Sequence, residues 1–374
     1  MKREFEYFLF ENFDADQEAE NLRNPRKILG KGTDPLLSEI AQLPAGECSY
    51  AACCHKFGQE QIDSLIACGV LRVEKEALFF DSPVFLRKDA EILREAVTVE
   101  AKAITDILEP SISQLSMCCA ELKNGFSVKV NLYHILCGML LDGHFFDYLS
   151  GMGVVSTSRW HPSGLDYLTV IYEKCGELRL LSDGLLCSYN RLANDLCALE
   201  SFGDADGNRK DFYRLFRLME KEKGQDRFRE EEYLLCETFG GADKSKLLFE
   251  VLSLIKTGKC LPAVMTLLEN FGYAKAGEIS VPVYLPEHRP IIMEMEAIVE
   301  ECLGEVMANM LLTLSEALPI TSAEHGVNRL EVANEIYHLF FGGINEELVR
   351  RGHVAAPEYL PGQGRYLKCI EVYQ

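Results

Sequence analysis

The chain is short of positive charge. It carries 38 lysines and arginines against 58 aspartates and glutamates, for a formal net charge of −20. Such a chain repels polyphosphate on average, so any contact with nucleic acid has to come from a local basic surface. None of its 14 cysteines forms a C-x-x-C, which excludes zinc ribbons and thioredoxin-type thiol pairs. Long apolar runs are missing too: nothing approaches the ~18 residues that cross a membrane. The N-terminal "MKREFEYFLFENFDAD" is interrupted by Glu6 and Glu11, so it reads as a strand rather than a signal or an anchor. A cytoplasmic chain without a membrane partner is expected. There is no P-loop, no G-x-S-x-G and no H-E-x-x-H. No catalytic residue, metal or cofactor is expected.

What is present is a balanced globular composition. Of 374 residues, 48% are hydrophobic and 26% charged, enough for two domains with a core each. Most cysteines lie singly in apolar segments such as "HILCGML", where a free thiol behaves as a small hydrophobe. The chain also echoes itself. "YHILCG" at Tyr133–Gly138 returns as "YHLFFG" at Tyr337–Gly342, "SPVFL" at Ser82–Leu86 as "VPVYL" at Val281–Leu285, and "YLTVI" at Tyr167–Ile171 as "YLKCI" at Tyr366–Ile370. The separations are 199 for the prolines, 204 for the histidines and 199 for the last tyrosines. Three matches in one order imply a module copied once, spanning roughly 34–173 and 230–373 and joined by 174–229. A pair of copies in one chain usually imitates a homodimer about a pseudo-twofold axis, so a monomer or a homodimer would serve.

Within the first copy, Leu36, Leu37 and Ile40 mark a short helix ended by Pro44 and Gly46. A second helix runs from about Ser49 to Gly58. A third, Gln59 to Cys68, puts Ile62, Leu65 and Ile66 on one face, with Gly69 as its C-terminal cap. "VLRVE" and "ALFFD" then alternate as a hairpin. The segment "YAACCHKFGQEQIDSLIACGVLRVEKEALFF" resembles the winged helix-turn-helix of bacterial transcription regulators, and "KLLFEVLSLIKTGKCLPAVMTLLENFGYAKAGEISVPVYL" reads as a fainter second copy. The fold class expected is α+β, predominantly helical, with two tandem winged-helix-containing units. The domains are drawn at 1–33 (strand and basic loop), 34–86 (first head), 87–173 (helical part ending in a strand), 174–229 (linker with a strand pair around "LTVIYEKCGELRLLSDG" and a basic helix), 230–285 (second head) and 286–374 (helical part ending in a strand).

The resemblance implies a DNA-binding transcription regulator whose third helix enters the major groove and whose wing meets the backbone. Gln59, Gln61 and Ser64 would then read bases, and Lys56, Arg72 and Lys75 would meet phosphates. Glu60 and Asp63 share that helix and oppose the contact. "NRKDFYRLFRLMEKEKGQDRFR" carries eight Lys or Arg against four Asp or Glu. There Arg209, Lys210, Arg214, Arg217 and Lys221 form a further candidate surface for double-stranded DNA. A small-molecule effector would meet Arg159, Trp160 and His161, with Arg365 of "PGQGR" as a possible counterpart. Glu335-x-x-His338 has the spacing of a bundle metal pair. The first copy has Asn131 before His134 instead, so a histidine hydrogen-bonded in the core is the reading preferred. The rival function is a non-catalytic protein–protein interaction scaffold whose winged helices have lost DNA contact. An enzyme of unknown class is the third reading after a DNA-binding regulator and an interaction scaffold.

Overall fold

The computed structural model describes residues 3–11, 25–30, 32–157, 167–182, 184–204, 208–221 and 226–374. With 58% helix and 17% strand, the chain is α+β and mostly helical. Its contacts divide it into two compact units, and neither is a contiguous stretch. Unit 1 comprises Met1–Ile104, Phe145–Ser182 and Leu303–Gly343, and unit 2 comprises Thr105–His144, Asp183–Cys302 and Ile344–Gln374. Each unit therefore takes one internal segment, 303–343 or 105–144, from the far half of the chain.

Unit 1 begins with β1 (Phe5–Glu11), followed by helices Asp34–Ile40, Tyr50–Phe57 and Gln59–Ala67. Ser49 caps the second of these helices, its hydroxyl accepting from the Ala52 N–H. β2 (Leu71–Glu74) and β3 (Ala77–Phe80) close as a hairpin. Its two-residue turn holds Lys75 and Glu76 at φ 48° and 66°, the paired left-handed geometry of a type I′ connection. Ile62, Leu65, Val70, Leu78 and Phe80 are buried beneath this head. β4 (Val84–Phe85) lies parallel to β5 (Tyr167–Glu173), which pairs with β1 on its other edge.

The 303–343 segment is bonded into that head. Ser322 Oγ accepts from the Val84 N–H at 2.8 Å and donates to the Val84 carbonyl at 2.6 Å. The Thr321 N–H donates to Asp89 at 3.0 Å, and the Phe80 N–H to His325 Nδ1 at 3.3 Å. Asp89 is wholly buried and bonds Leu86 as well, so the start of helix Ala90–Leu108 and the incoming segment share one carboxylate.

Unit 2 is organised around β6 (Leu186–Ala193) and β7 (Cys197–Asp204), an antiparallel pair. β8 (Ala274–Lys275) and β9 (Glu278–Ile279) form a minimal hairpin after helices Arg229–Phe239, Lys244–Thr257 and Pro262–Asn270. β10 (Val283–Tyr284) runs parallel to β12 (Gly364–Val372), β12 pairs with β7, and β11 (Tyr359–Leu360) folds back on β12. Gly203 lies opposite Tyr366 in this sheet, and a Cβ there would sit 1.9 Å from the Arg365 carbonyl oxygen. The strands close only because that side chain is absent.

Matched hydrogen bonds accompany the sequence echoes. The Ile171 N–H donates to the Pro83 carbonyl at 2.8 Å, and the Ile370 N–H to the Pro282 carbonyl at 2.9 Å. Val84 and Phe85 face Ile171 and Tyr172, while Val283 and Tyr284 face Ile370 and Glu371. Two readings of the linker need correction. "GELRLLS" is a helix, Gly176–Ser182, with Leu178 and Leu181 buried one turn apart. The strand pair lies downstream of it, in β6 and β7. The "YH" segment of the first half, Tyr133–His144, is a π-helix, a rare geometry in runs of this length.

Candidate functional site

The first head presents Gln59, Glu60 and Asp63 to solvent, with Gln61 and Ser64 half-buried. Their polar ends are largely committed within the fold. Gln59 Nε2 donates to the Tyr50 hydroxyl at 2.6 Å, Gln61 Nε2 to the Gly32 carbonyl at 3.4 Å, and Ser64 Oγ to the Glu60 carbonyl at 2.8 Å. Lys56 is ion-paired with Glu39 at 2.6 Å. Lys75, at the tip of the hairpin, is exposed.

Arg72 departs from its expected role. Its guanidinium bonds the Phe80 carbonyl at 2.6 Å, the His325 carbonyl at 2.5 Å and Glu74 at 2.8 Å. It fastens the hairpin to the 303–343 segment instead of pointing to a phosphate. The physical reason is local: three acceptors converge where the hairpin meets a helix end, and a planar fork satisfies them together.

The basic segment 208–229 is corrected more sharply. Arg209 is 0% exposed and cannot touch DNA. Its guanidinium donates to the carbonyls of Ser188, Ser201 and Asp204 at 2.6, 2.9 and 2.8 Å, and burial lowers its pKa. Asp211 is buried beside it, accepting from Asn190 at 2.9 Å and Ser201 Oγ at 2.7 Å. Lys210 pairs with Glu231 at 2.7 Å and lies over the Phe271 ring. Arg214 is half-buried, its Nε sealed from water, and its N–H donates to Asp211. Arg217 bonds the Tyr213 hydroxyl and lies over that ring. Lys221 ends helix Phe212–Lys221. Phe212, Leu215 and Phe216 bury one face of this helix.

Of the proposed effector site, Arg159, Trp160 and His161 lie outside the described residues. Arg365 is not a free cation. It bonds Asp204 at 2.7 Å, Glu346 at 2.7 Å and the Gly184 carbonyl at 2.7 Å, anchoring β12 at its start. Two carboxylates surround it, so an anionic ligand there would have to displace both.

Glu335 and His338 do share one helical face in unit 1, 4.0 Å apart. The Tyr172 hydroxyl donates to Glu335 at 2.6 Å. His338 is stacked on Phe10 at 4.5 Å and bonds the Asn334 carbonyl through Nδ1 at 3.1 Å. Among the described residues no group of three or more His, Cys, Asp or Glu could hold a metal ion. The two histidines of the echoed segments differ. In His134 both ring nitrogens are buried without a partner among the described residues, and burial lowers its pKa to about 3. The expected hydrogen bond is therefore found for His338 and not for His134.

Burial pushes Glu335 up to about 7, with the Tyr172 hydrogen bond opposing. A carboxyl raised above its unfolded value of ~4.5 contributes stability at low pH that is lost as pH rises through ~7. Glu335→Gln, which cannot ionise, should therefore match the wild type most closely near pH 5 and exceed it by on the order of 3 kcal/mol at pH 8. Urea unfolding of both proteins at pH 5, 6.5 and 8 measures the difference, from which the histidine contributions cancel. A difference that does not change with pH would contradict the assignment.

Sequence reasoning missed the polar network of unit 2. Glu200, wholly buried in β7, is held at about 7, chiefly by burial and then by Glu371. Arg191 bonds Glu200 at 2.9 Å and Glu371 at 3.2 Å. A glutamate in a strand gives no signal that it faces the interior. Four lysines of the second head, Lys244, Lys256, Lys259 and Lys275, are exposed around its second and third helices and hairpin, a clustering that their spacing in the sequence does not show. No family model, curated protein or solved structure matches the chain.

Proposed function

We propose that the chain is a non-catalytic interaction protein built from two copies of a winged-helix-like module, whose first head docks a protein rather than DNA. The observation that carries this reading is the fate of the candidate DNA contacts. Arg209 is buried, Arg72 is bonded into the fold, and Lys56 and Lys210 are ion-paired. The open face of the third helix instead presents Glu60 and Asp63, with Glu74 and Glu76 exposed on the hairpin. A surface of that sign repels phosphate and favours a basic partner. The duplication is supported by the matched strand registers and by the order of helices and hairpin in both heads.

A second reading, a DNA-binding transcription regulator, draws on the exposed lysines of the second head. Titrating labelled duplex DNA, including the chain's own upstream region, at 50 and 200 mM salt decides between them. We expect binding no tighter than non-specific contact, with dissociation constants of about 10⁻⁶ M or weaker. A tight complex that weakens steeply with salt and is abolished by Lys256→Glu with Lys259→Glu would overturn the protein-docking assignment.

A further inference from the structure

A cavity of about 620 Å³ opens in unit 1 beside the start of helix Ala90–Leu108. Every lining side chain is charged except Gln42: Arg3, Arg87, Lys88 and Lys174 stand against Glu4 and Glu173. The lining thus carries a positive excess on a chain whose net charge is −20. Its floor already shows what the place selects. Glu173 Oε2 accepts from the Arg87 N–H at 2.8 Å and from Arg3 Nη1 at 2.7 Å. The chain has set one of its own carboxylates where a guanidinium and the backbone N–H that opens the turn into helix Ala90–Leu108 converge.

Above that carboxylate the remaining cations are turned to solvent. Arg87, Lys88 and Lys174 are all exposed. Arg87 pairs with Glu177 at 3.4 Å and Lys88 with Glu324 at 2.5 Å, both across surface-exposed ion pairs. Such pairs are weak and readily exchanged for a more highly charged anion. A cavity of about 500 Å³ opens at the corresponding point of unit 2, but its wall is partly apolar: Tyr284, Leu285, Pro286 and Ile292 line it along with Arg289. The location recurs, with Arg191, Arg289 and Glu371 in its lining too, but the unit 2 wall is half apolar where the unit 1 wall is charged throughout except for Gln42.

We propose that the unit 1 cavity is a binding site for a compact, multiply phosphorylated small molecule. Arg87, Lys88 and Lys174 grip the phosphates, and Arg3 positions Glu173 beneath them. Among the described residues no aromatic or apolar side chain lines the cavity to hold a base, so the ligand class is a short polyphosphate or a sugar bisphosphate and not a nucleotide. The site is independent of what the heads dock.

Isothermal titration of the full chain with inorganic tripolyphosphate, at low and moderate salt, tests this. Saturable one-site binding is expected, weakened about tenfold by Lys174→Gln or Arg87→Gln and unaffected by Lys256→Gln on the other unit. Glu173→Gln removes the competing internal charge and should tighten binding several-fold, a gain that general surface adsorption would not give. Absence of saturation by about 5 mM, or indifference to either Lys174→Gln or Glu173→Gln, overturns the site. ATP binding at least tenfold tighter than tripolyphosphate would overturn the ligand class in favour of a nucleotide.

Discussion

A chain ended after Lys221 is expected to form no stable monomer. It retains the first head but lacks residues 303–343, which unit 1 counts as its own. That segment contributes buried Leu303, Met307, Leu311, Ile320, Val332, Ile336, Tyr337 and Phe340. At about 1.5–3 kcal/mol for each fully buried side chain, their loss amounts to about 12–24 kcal/mol, as large as or larger than the roughly 5–15 kcal/mol that holds a domain folded. The polar anchors go with them: Val84, Phe80 and Arg72 lose the partners supplied by Ser322 and His325, leaving buried groups unsatisfied. Because residues 105–144 carry the echo of the missing segment, the fragment has one route to burial. Two copies can each lend that segment to the other. Light scattering should therefore find a folded dimer, and circular dichroism at dilution should find unfolding with dissociation. Mixing fragment 1–221 with fragment 226–374 should restore the full complement of helix as a one-to-one complex. A compact, cooperatively melting monomer of 1–221 would show that the far segment is dispensable.

That expectation also marks the limit of what the residues reveal by inspection. Helix Gln59–Ala67 was legible because its periodicity is strong: Ile62 and Leu65 repeat at helical spacing and both are buried. The echo marks the "PV" and "YL" segments at one offset, but that they meet as parallel pairs is seen only in the strand registers. The identity of the helix that fills each head was not legible. "YHILCG" and "YHLFFG" offer nearly the same apolar surface, so composition cannot decide which segment enters which unit. The β6–β7 hairpin escaped for another reason. β7 is buried along its whole length, yet it contains Glu200, Ser201 and Asp204. Polar residues in an inner strand read as a loop until the arginines that neutralise them are placed. "GELRLLS" failed in the opposite direction, since a short apolar run cannot be told from a strand by composition alone.

Arg209→Met is expected to destabilise unit 2 by about 3–5 kcal/mol, the cost of breaking a buried charge cluster from one side. The side chain is fully buried, and three backbone carbonyls on β6, β7 and the end of β7 accept from it. Removal costs each of those carbonyls its guanidinium donor. It also leaves Asp211 buried without the positive charge beside it. Asp211 in turn accepts from the Arg214 N–H at 2.8 Å at the start of helix Phe212–Lys221, so the disturbance should reach the helix through its cap. Arg209→Lys keeps the charge but not the planar fork, and should recover only part of the loss. Urea unfolding of the three proteins gives the order wild type, Lys, Met, with the midpoint falling and the slope unchanged if unfolding stays two-state. An arginine that served only to meet phosphate on an open surface would leave the midpoint within about 0.5 kcal/mol of wild type. The size of the shift therefore decides whether this cation belongs to the interior or to a nucleic-acid surface.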